Sequence, residues 1–217
     1  MNRIHVTMLF FVLLAIWGCK DDDKKNEDPT PIVPTEKIVE LSTDYGNMYI
    51  WLYKETPLHR NNFLRLIDSG FMESTEFHRV IKNFVIQGGD PLSKDSIRTN
   101  DGTGGPGYTI PAEIDSTKFK HKYGALGAAR LGDGTNPLRA SSGSQFYIVV
   151  NKSSQKSLDG AYTVFGEVIK GMPIADSISN VPKNASDLPN KRIPVGFKIL
   201  EKTKVQIEAE YGFIIKE

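Results

Sequence analysis

The residues that could do chemistry gather in a few segments. Phe77-His78-Arg79-Val80-Ile81 and Phe84-Val85-Ile86-Gln87-Gly88-Gly89-Asp90 flank a tight connection at Lys82-Asn83. If residues 82–84 form the loop of a hairpin, paired positions sum to 166, and Arg79 lies opposite Gln87 on one face. A guanidinium then sits beside a carboxamide at the edge of an apolar patch holding Phe84 and Val85. Taken singly, a strand arginine reads as a surface charge and Phe84 as core.

Other segments offer weaker chemistry. Gly102-Thr103-Gly104-Gly105-Pro106-Gly107 formally contains G-x-G-x-x-G. A dinucleotide site needs those glycines between a strand and a helix N-terminus, where helix amides meet the pyrophosphate. Here Arg98-Thr99-Asn100-Asp101 precedes and Thr109-Ile110-Pro111 follows, so the glycines are read as serving a loop. Ser144, in Ser141-Ser142-Gly143-Ser144-Gln145-Phe146-Tyr147, has no G-x-S-x-G elbow and no recognisable base. The four histidines (5, 59, 78, 121) show no metal-ligand spacing, so no metal is expected. No cofactor is expected either.

The elements that must position these residues are mostly strands. Ile38, Glu40 and Ser42 alternate with Val39, Leu41 and Thr43, and Asp44-Tyr45-Gly46-Asn47 turns the chain into Met48–Tyr53. Thr56-Pro57 has the form of a helix start. Phe63, Leu66 and Ile67 fall at helical spacing, and Gly70 closes the segment. Further strands are predicted at 75–81, 84–87, 125–130, 145–150, 162–169 and 197–207, with a second helix from Met172-Pro173 to about Ser179. Many short strands, Gly-rich turns and two helices argue for a closed barrel or a sandwich.

Four runs taken together resemble the cyclophilins: F-H-R-V-I with F-V-I-Q-G-G-D-P, G-T-G-G-P-G-Y, S-G-S-Q-F-Y-I, and L-D-G-A-Y-T-V-F-G-E-V, in the family's order. The resemblance runs from about Ile38 to Glu208. It implies an eight-stranded closed antiparallel β-barrel capped by two α-helices, and peptidyl-prolyl cis–trans isomerase activity on the barrel's outer face. It further implies that Arg79 is the catalytic donor, with Gln87 orienting it and Phe84 beside it. Phe84, Val85, Tyr147 and Leu158 would line the proline pocket, and Tyr162 would take the place of the family's pocket histidine. Ala129 and Arg130 would offer main-chain groups to an extended substrate flanked by Gln145.

That activity suits the residue types. An X–Pro bond isomerises slowly because a barrier of about 18–20 kcal/mol protects the amide's partial double bond. Millisecond turnover needs roughly 5–7 kcal/mol off that barrier. A charged donor in a dry site, bonding the twisted amide better than the planar one, supplies much of it without covalent chemistry.

The departures from the family pattern have expected consequences. Val85 stands for the methionine of eukaryotic members and Tyr147 for phenylalanine. Ser157 stands for the tryptophan that contacts cyclosporin, so weak cyclosporin binding is expected. Segments 92–103 and 131–142 are longer than in compact members and border the groove. Two rival readings use the same residues: a prolyl-peptide binding module, and a surface protein whose loops hold a partner. Turnover on a short X–Pro peptide separates both from the enzyme.

The chain's ends and composition set the setting. Asn2-Arg3 followed by the apolar run Val6–Trp17 reads as a signal peptide over residues 1–18 rather than a spanning helix. Ile16-Trp17-Gly18-Cys19 resembles a bacterial lipobox, with the only cysteine as the lipidated residue. An acidic, proline-rich tether over 19–36 and one isomerase domain over 37–217 complete the expected organisation. The expected location is the cell envelope, on the outer membrane through the lipid alone, with either leaflet open. Among 217 residues, 27 Lys+Arg face 26 Asp+Glu, and removing 1–18 takes only Arg3. A neutral body gives no basic stripe for nucleic acid. Expected partners are proline-containing peptides and unfolded protein clients, met by a monomer.

Overall fold

The computed structural model describes residues 33–215; the expected signal peptide, Cys19 and most of the tether lie outside them. Ten strands and three α-helices follow one another as β1 (Thr35–Thr43), β2 (Gly46–Leu52), α1 (Pro57–Asp68), β3 (Arg79–Val80), β4 (Val85–Gly88), β5 (Thr109–Ile110), β6 (Ala125–Ala128), β7 (Ser141–Ser142), β8 (Phe146–Val149), β9 (Val164–Lys170), α2 (Met172–Ser179), β10 (Gly196–Thr203) and α3 (Lys204–Tyr211). Eight strands form one sheet in the order β10-β1-β2-β9-β6-β8-β4-β3, and β5 pairs with β7 apart from it. Every pairing is antiparallel.

Among the described residues, no strand ladder joins the two ends of the sheet, β3 and β10. The segments leading into them are nevertheless bonded. Phe77 N–H donates to Ile193 O (3.0 Å), Val195 N–H to Thr75 O (2.8 Å), and Ser74 N–H to Val195 O (3.1 Å). The strand expected over 75–81 is therefore short: its first half pairs irregularly with 193–195, and only Arg79–Val80 joins the ladder.

Alternation along β1 decides the two faces. Val39 and Leu41 point into the main core with Ile50, Ile86, Leu126 and Ile148, all fully buried. The core's open sides are covered by Phe63, Leu64, Leu66 and Ile67 of α1 and by Ala175 and Ile178 of α2. Phe63 meets Phe146, Phe165 and Phe197 edge-on at 5.5, 5.5 and 5.8 Å, the geometry that aromatic quadrupoles favour.

The other face of β1 and β2 carries Ile38 and Trp51, which pack with Ile207 of α3. This third helix corrects the expectation of two helices and of a last strand running to Ile207. Its signal is a capping box: Gln206 N–H donates to Thr203 Oγ1 (3.2 Å) and Thr203 N–H to Gln206 Oε1 (2.8 Å). Thr203-Lys204-Val205-Gln206 carries that signature, but the alternation of Val205, Gln206 and Ile207 masks the change of period.

Candidate active site

The β3–β4 hairpin has the register that residues 82–84 impose. Arg79 pairs with Gln87 and Val80 with Ile86. Ile81 N–H donates to Val85 O (2.9 Å) and Phe84 N–H to Ile81 O (3.0 Å), with Asn83 in the left-handed region at φ 56°. Asparagine tolerates that conformation better than most residues with a Cβ.

From this hairpin a polar chain runs across the sheet. Arg79 Nη1 donates to Gln87 Oε1 (3.2 Å), and Gln87 Nε2 donates to Gln145 Oε1 (3.0 Å). Gln145 Nε2 donates in turn to the carbonyls of Gly102 (3.0 Å) and Gly104 (2.7 Å). Each amide is thereby oriented, because only its oxygen can accept and only its nitrogen can donate.

The glycine-rich segment that ends this chain is seated on Asp90, whose buried carboxylate accepts from the N–H groups of Leu92 (2.8 Å), Gly104 (3.1 Å) and Gly102. A methyl group at Gly104 would overlap the Asp90 carboxylate, so the backbone needs glycine for that approach. The segment leads into β5 rather than a helix, as the loop reading of G-x-G-x-x-G requires.

Beside Arg79 lies an apolar cluster. Val85 and Tyr147 are buried in it with Val149 and Val164, and Phe84, Ala129, Leu158 and Tyr162 pack against them half-buried. Arg79, Gln87 and Gln145 thus border a patch containing all five residues expected to line or flank a proline pocket. Tyr162 stands edge-on to Tyr147 at 6.1 Å, and the Arg130 guanidinium lies 4.4 Å above the Tyr162 ring.

Ala129 and Arg130 are placed differently from each other. Ala129 N–H donates to Gln145 O (3.0 Å), and its carbonyl accepts from Ser142 N–H (2.7 Å). The main-chain groups of Ala129, expected to serve a substrate, are therefore engaged within the fold, because the chain at 141–145 doubles back beside β6. Arg130 acts locally through its side chain: Nε donates to Ala161 O (2.8 Å), and Nη1 holds Asp133 at 2.6 Å. Asp133 also pairs with Arg139 (3.2 Å), which donates to Gly160 O (2.7 Å), so the 131–142 segment is fastened to the turn carrying Tyr162. From the other long segment, 92–103, Arg98, Thr99, Asp101 and Gly102 line a cavity of about 630 Å3 together with Arg79, Gln87, Asn184 and Leu188.

Three residues around this patch were not anticipated from the sequence. The Tyr147 hydroxyl lies 2.8 Å from His121 Nε2. His121 Nδ1 and its main-chain N–H both reach Asp159 Oδ1, at 2.9 and 2.8 Å. Burial pushes the His121 imidazole below its usual pKa, outweighing the raising effect of Asp159. Burial alone would raise Asp159, but the bonds from His121 and the nearby Lys120 charge hold it below the usual carboxylate range. Gly127, opposite Tyr147 in the ladder, leaves room for the phenol ring, which a methyl group there would overlap. The signal for these partners was the tyrosine itself, since a hydroxyl in an apolar patch needs a bonding group.

Comparison with known proteins supplies the family. The family model described as cyclophilin type peptidyl-prolyl cis-trans isomerase/CLD matches residues 38–197. Peptidyl-prolyl cis-trans isomerase B of Bacillus subtilis is 43% identical over 64% of this chain and 88% of its own length. Peptidyl-prolyl cis-trans isomerase-like 2 of Rhizopus delemar is 34% identical over 71% of this chain, which spans 27% of that longer protein. The crystal structure of a Cryptosporidium parvum cyclophilin type isomerase is similar with a TM-score of 0.67 at 31% identity, covering 77% of this chain and 98% of that one. The same parasite protein, crystallised in the presence of the dipeptide Ala-Pro, gives 0.66 at 32% identity. With its polar chain, its apolar patch and a family match across most of its length, this chain belongs to the cyclophilin-type peptidyl-prolyl cis–trans isomerases.

Proposed function

We propose that this isomerase acts on X–Pro bonds of extended or unfolded protein clients in the cell envelope, by non-covalent stabilisation of the twisted amide. The observation that carries the reading is the Arg79–Gln87–Gln145 chain held at the edge of the Phe84, Val85, Tyr147, Leu158 and Tyr162 patch. In this reading the patch holds the proline ring, and Arg79 donates to the amide nitrogen, which becomes basic as conjugation breaks. A planar amide nitrogen accepts poorly, so the bond is stronger in the transition state and lowers the barrier. Gln87 fixes the guanidinium, and Gln145 and the main chain of Arg130 guide the client backbone. The Ala-Pro dipeptide used with the Cryptosporidium parvum relative supports a proline-sized ligand here.

The same reading takes residues 1–18 as a signal peptide, Cys19 as the lipidated residue, 19–36 as the tether and 37–217 as the working domain. It takes the bonds between 74–77 and 193–195 as closing the sheet into the barrel expected of the family. A lipid anchor on the outer membrane would keep a monomeric isomerase near clients whose slow proline steps limit folding for tens of seconds. The test is cis-to-trans relaxation of a short X–Pro peptide with the full chain beside Arg79→Ala. Rapid turnover with a loss of roughly a hundredfold in the variant is expected. No acceleration by the folded parent would leave a prolyl-peptide binder instead. Palmitate labelling abolished by Cys19→Ala tests the anchor.

A further inference from the structure

We propose that His121, held by Asp159, is a positioning residue that fixes the Tyr147 wall of the proline pocket and thereby sets how tightly the pocket grips its ring. The inference rests on the reading of that patch as the proline site. The direction of every proton in the chain follows from its partners. Asp159 is ionised and can only accept, and its Oδ1 takes both the main-chain N–H and Nδ1 of His121. The Nδ1 proton is therefore committed to Asp159, and the neutral ring leaves Nε2 as an acceptor. Tyr147 accordingly donates its O–H to Nε2 across 2.8 Å.

His121 is also tied to Leu158, another residue of that patch. Gln155 N–H donates to His121 O (2.8 Å), and Leu158 N–H donates to Gln155 O (3.0 Å), so the turn that carries Leu158 is referenced to the same residue. Tyr162 lies edge-on to both rings, 6.5 Å from His121 and 6.1 Å from Tyr147. His121 is only 1% exposed, so it meets the client solely through the tyrosine. A pocket that must hold a ring while its amide rotates is sensitive to wall displacements of about 1 Å.

The experiment measures kcat and KM of the full chain on a short Ala-Pro peptide for the parent, His121→Leu, His121→Gln, Tyr147→Phe and the His121→Leu/Tyr147→Phe double variant. Loss of the acceptor should lower kcat/KM roughly tenfold in His121→Leu, mostly through KM. The glutamine oxygen can accept the same proton, so His121→Gln should recover most of that loss. In the Tyr147→Phe background the leucine substitution should cost about twofold or less, because phenylalanine needs no acceptor. Should His121→Leu fail to fold, 15N spectra of the parent decide the point, with the proton expected on Nδ1 and Nε2 bare. An equal cost of His121→Leu in both backgrounds, or a proton found on Nε2, overturns the proposal. A parent that folds but does not accelerate isomerisation instead brings down the reading of the pocket, and this inference falls with it.

Discussion

At His59, Glu113 Oε2 accepts both the main-chain N–H (2.9 Å) and Nδ1 (2.6 Å), and Nε2 faces Ser141 Oγ at 2.9 Å. At His121, Asp159 Oδ1 accepts the same two groups of its histidine, and Nε2 faces the Tyr147 hydroxyl. The two chains are chemically alike, and in both burial lowers the imidazole pKa against the pull of the carboxylate. They differ in what the far hydroxyl touches. Ser141 lies in β7, 1% exposed, beneath the N-terminus of α1. The carboxylate, imidazole and serine hydroxyl have the order of a hydrolytic triad, yet no substrate can reach that oxygen. Tyr147 lies in the apolar patch beside Arg79 and Gln87. An acid–histidine–hydroxyl chain thus acquires a role from the surface its hydroxyl supports: one fastens a helix, and the other fastens a wall of the proposed proline pocket.

The His59 chain carries the larger structural duty. Glu113 Oε1 also accepts Leu58 N–H (3.0 Å), so one carboxylate satisfies two first-turn N–H groups of α1 and favours its positive end. Glu113→Ala would strand these donors and the His59 ring, and a loss of about 3 kcal/mol is expected in urea unfolding. Isomerase kcat/KM per folded molecule should stay within about twofold of the parent. A large catalytic loss without destabilisation would erase the distinction between the two chains.

Gly127→Ala attacks the other side of the comparison. The added methyl group overlaps the Tyr147 ring, and overpacking of this kind costs about 1–3 kcal/mol. Because the displaced ring is the wall of the proposed proline pocket, KM should rise together with the stability loss. Unchanged KM at reduced stability would show the wall to be dispensable. A smaller effect is expected from Thr203→Ala, remote from both chains, which removes the α3 cap for about 1 kcal/mol and should leave kcat and KM alone.

Acidification should weaken both chains at once and by the least. His59 and His121 have folded pKa values below the ordinary 6.5, so the unfolded chain binds more protons as the pH falls through that interval. Their contribution is complete above pH 6.5 and is lost as pH drops through the folded values. The urea midpoint should therefore be lower at pH 5.5 than at 7.5. A midpoint that rises on acidification would contradict the buried neutral state of the two rings.

Much of this arrangement was legible in residue order. A tight turn at 82–84 determines that Arg79 faces Gln87, because side chains on paired strands have a period of two. The Thr56-Pro57 start and the Phe63, Leu66, Ile67 spacing marked α1, and Met172-Pro173 marked α2. At the C-terminal end, Val205-Gln206-Ile207 alternates in residue type as a strand would, and the capping box at Thr203 was the local sign of a helix. Even at α1 the hydroxyl of Thr56 donates to Tyr53 O, and the cap comes from Glu113, which lies 54 residues beyond His59.

The amino-acid sequence by itself determined the hairpin that carries Arg79, the apolar residues of the patch and the family to which they belong, because register and periodicity are local properties. Tertiary structure decided which carboxylate meets which histidine, why Gly127 must stay small, and why the Ala129 N–H is engaged. Those facts depend on long-range encounters between strands and turns, where buried polar groups take whichever partner the packed chain brings within about 3 Å.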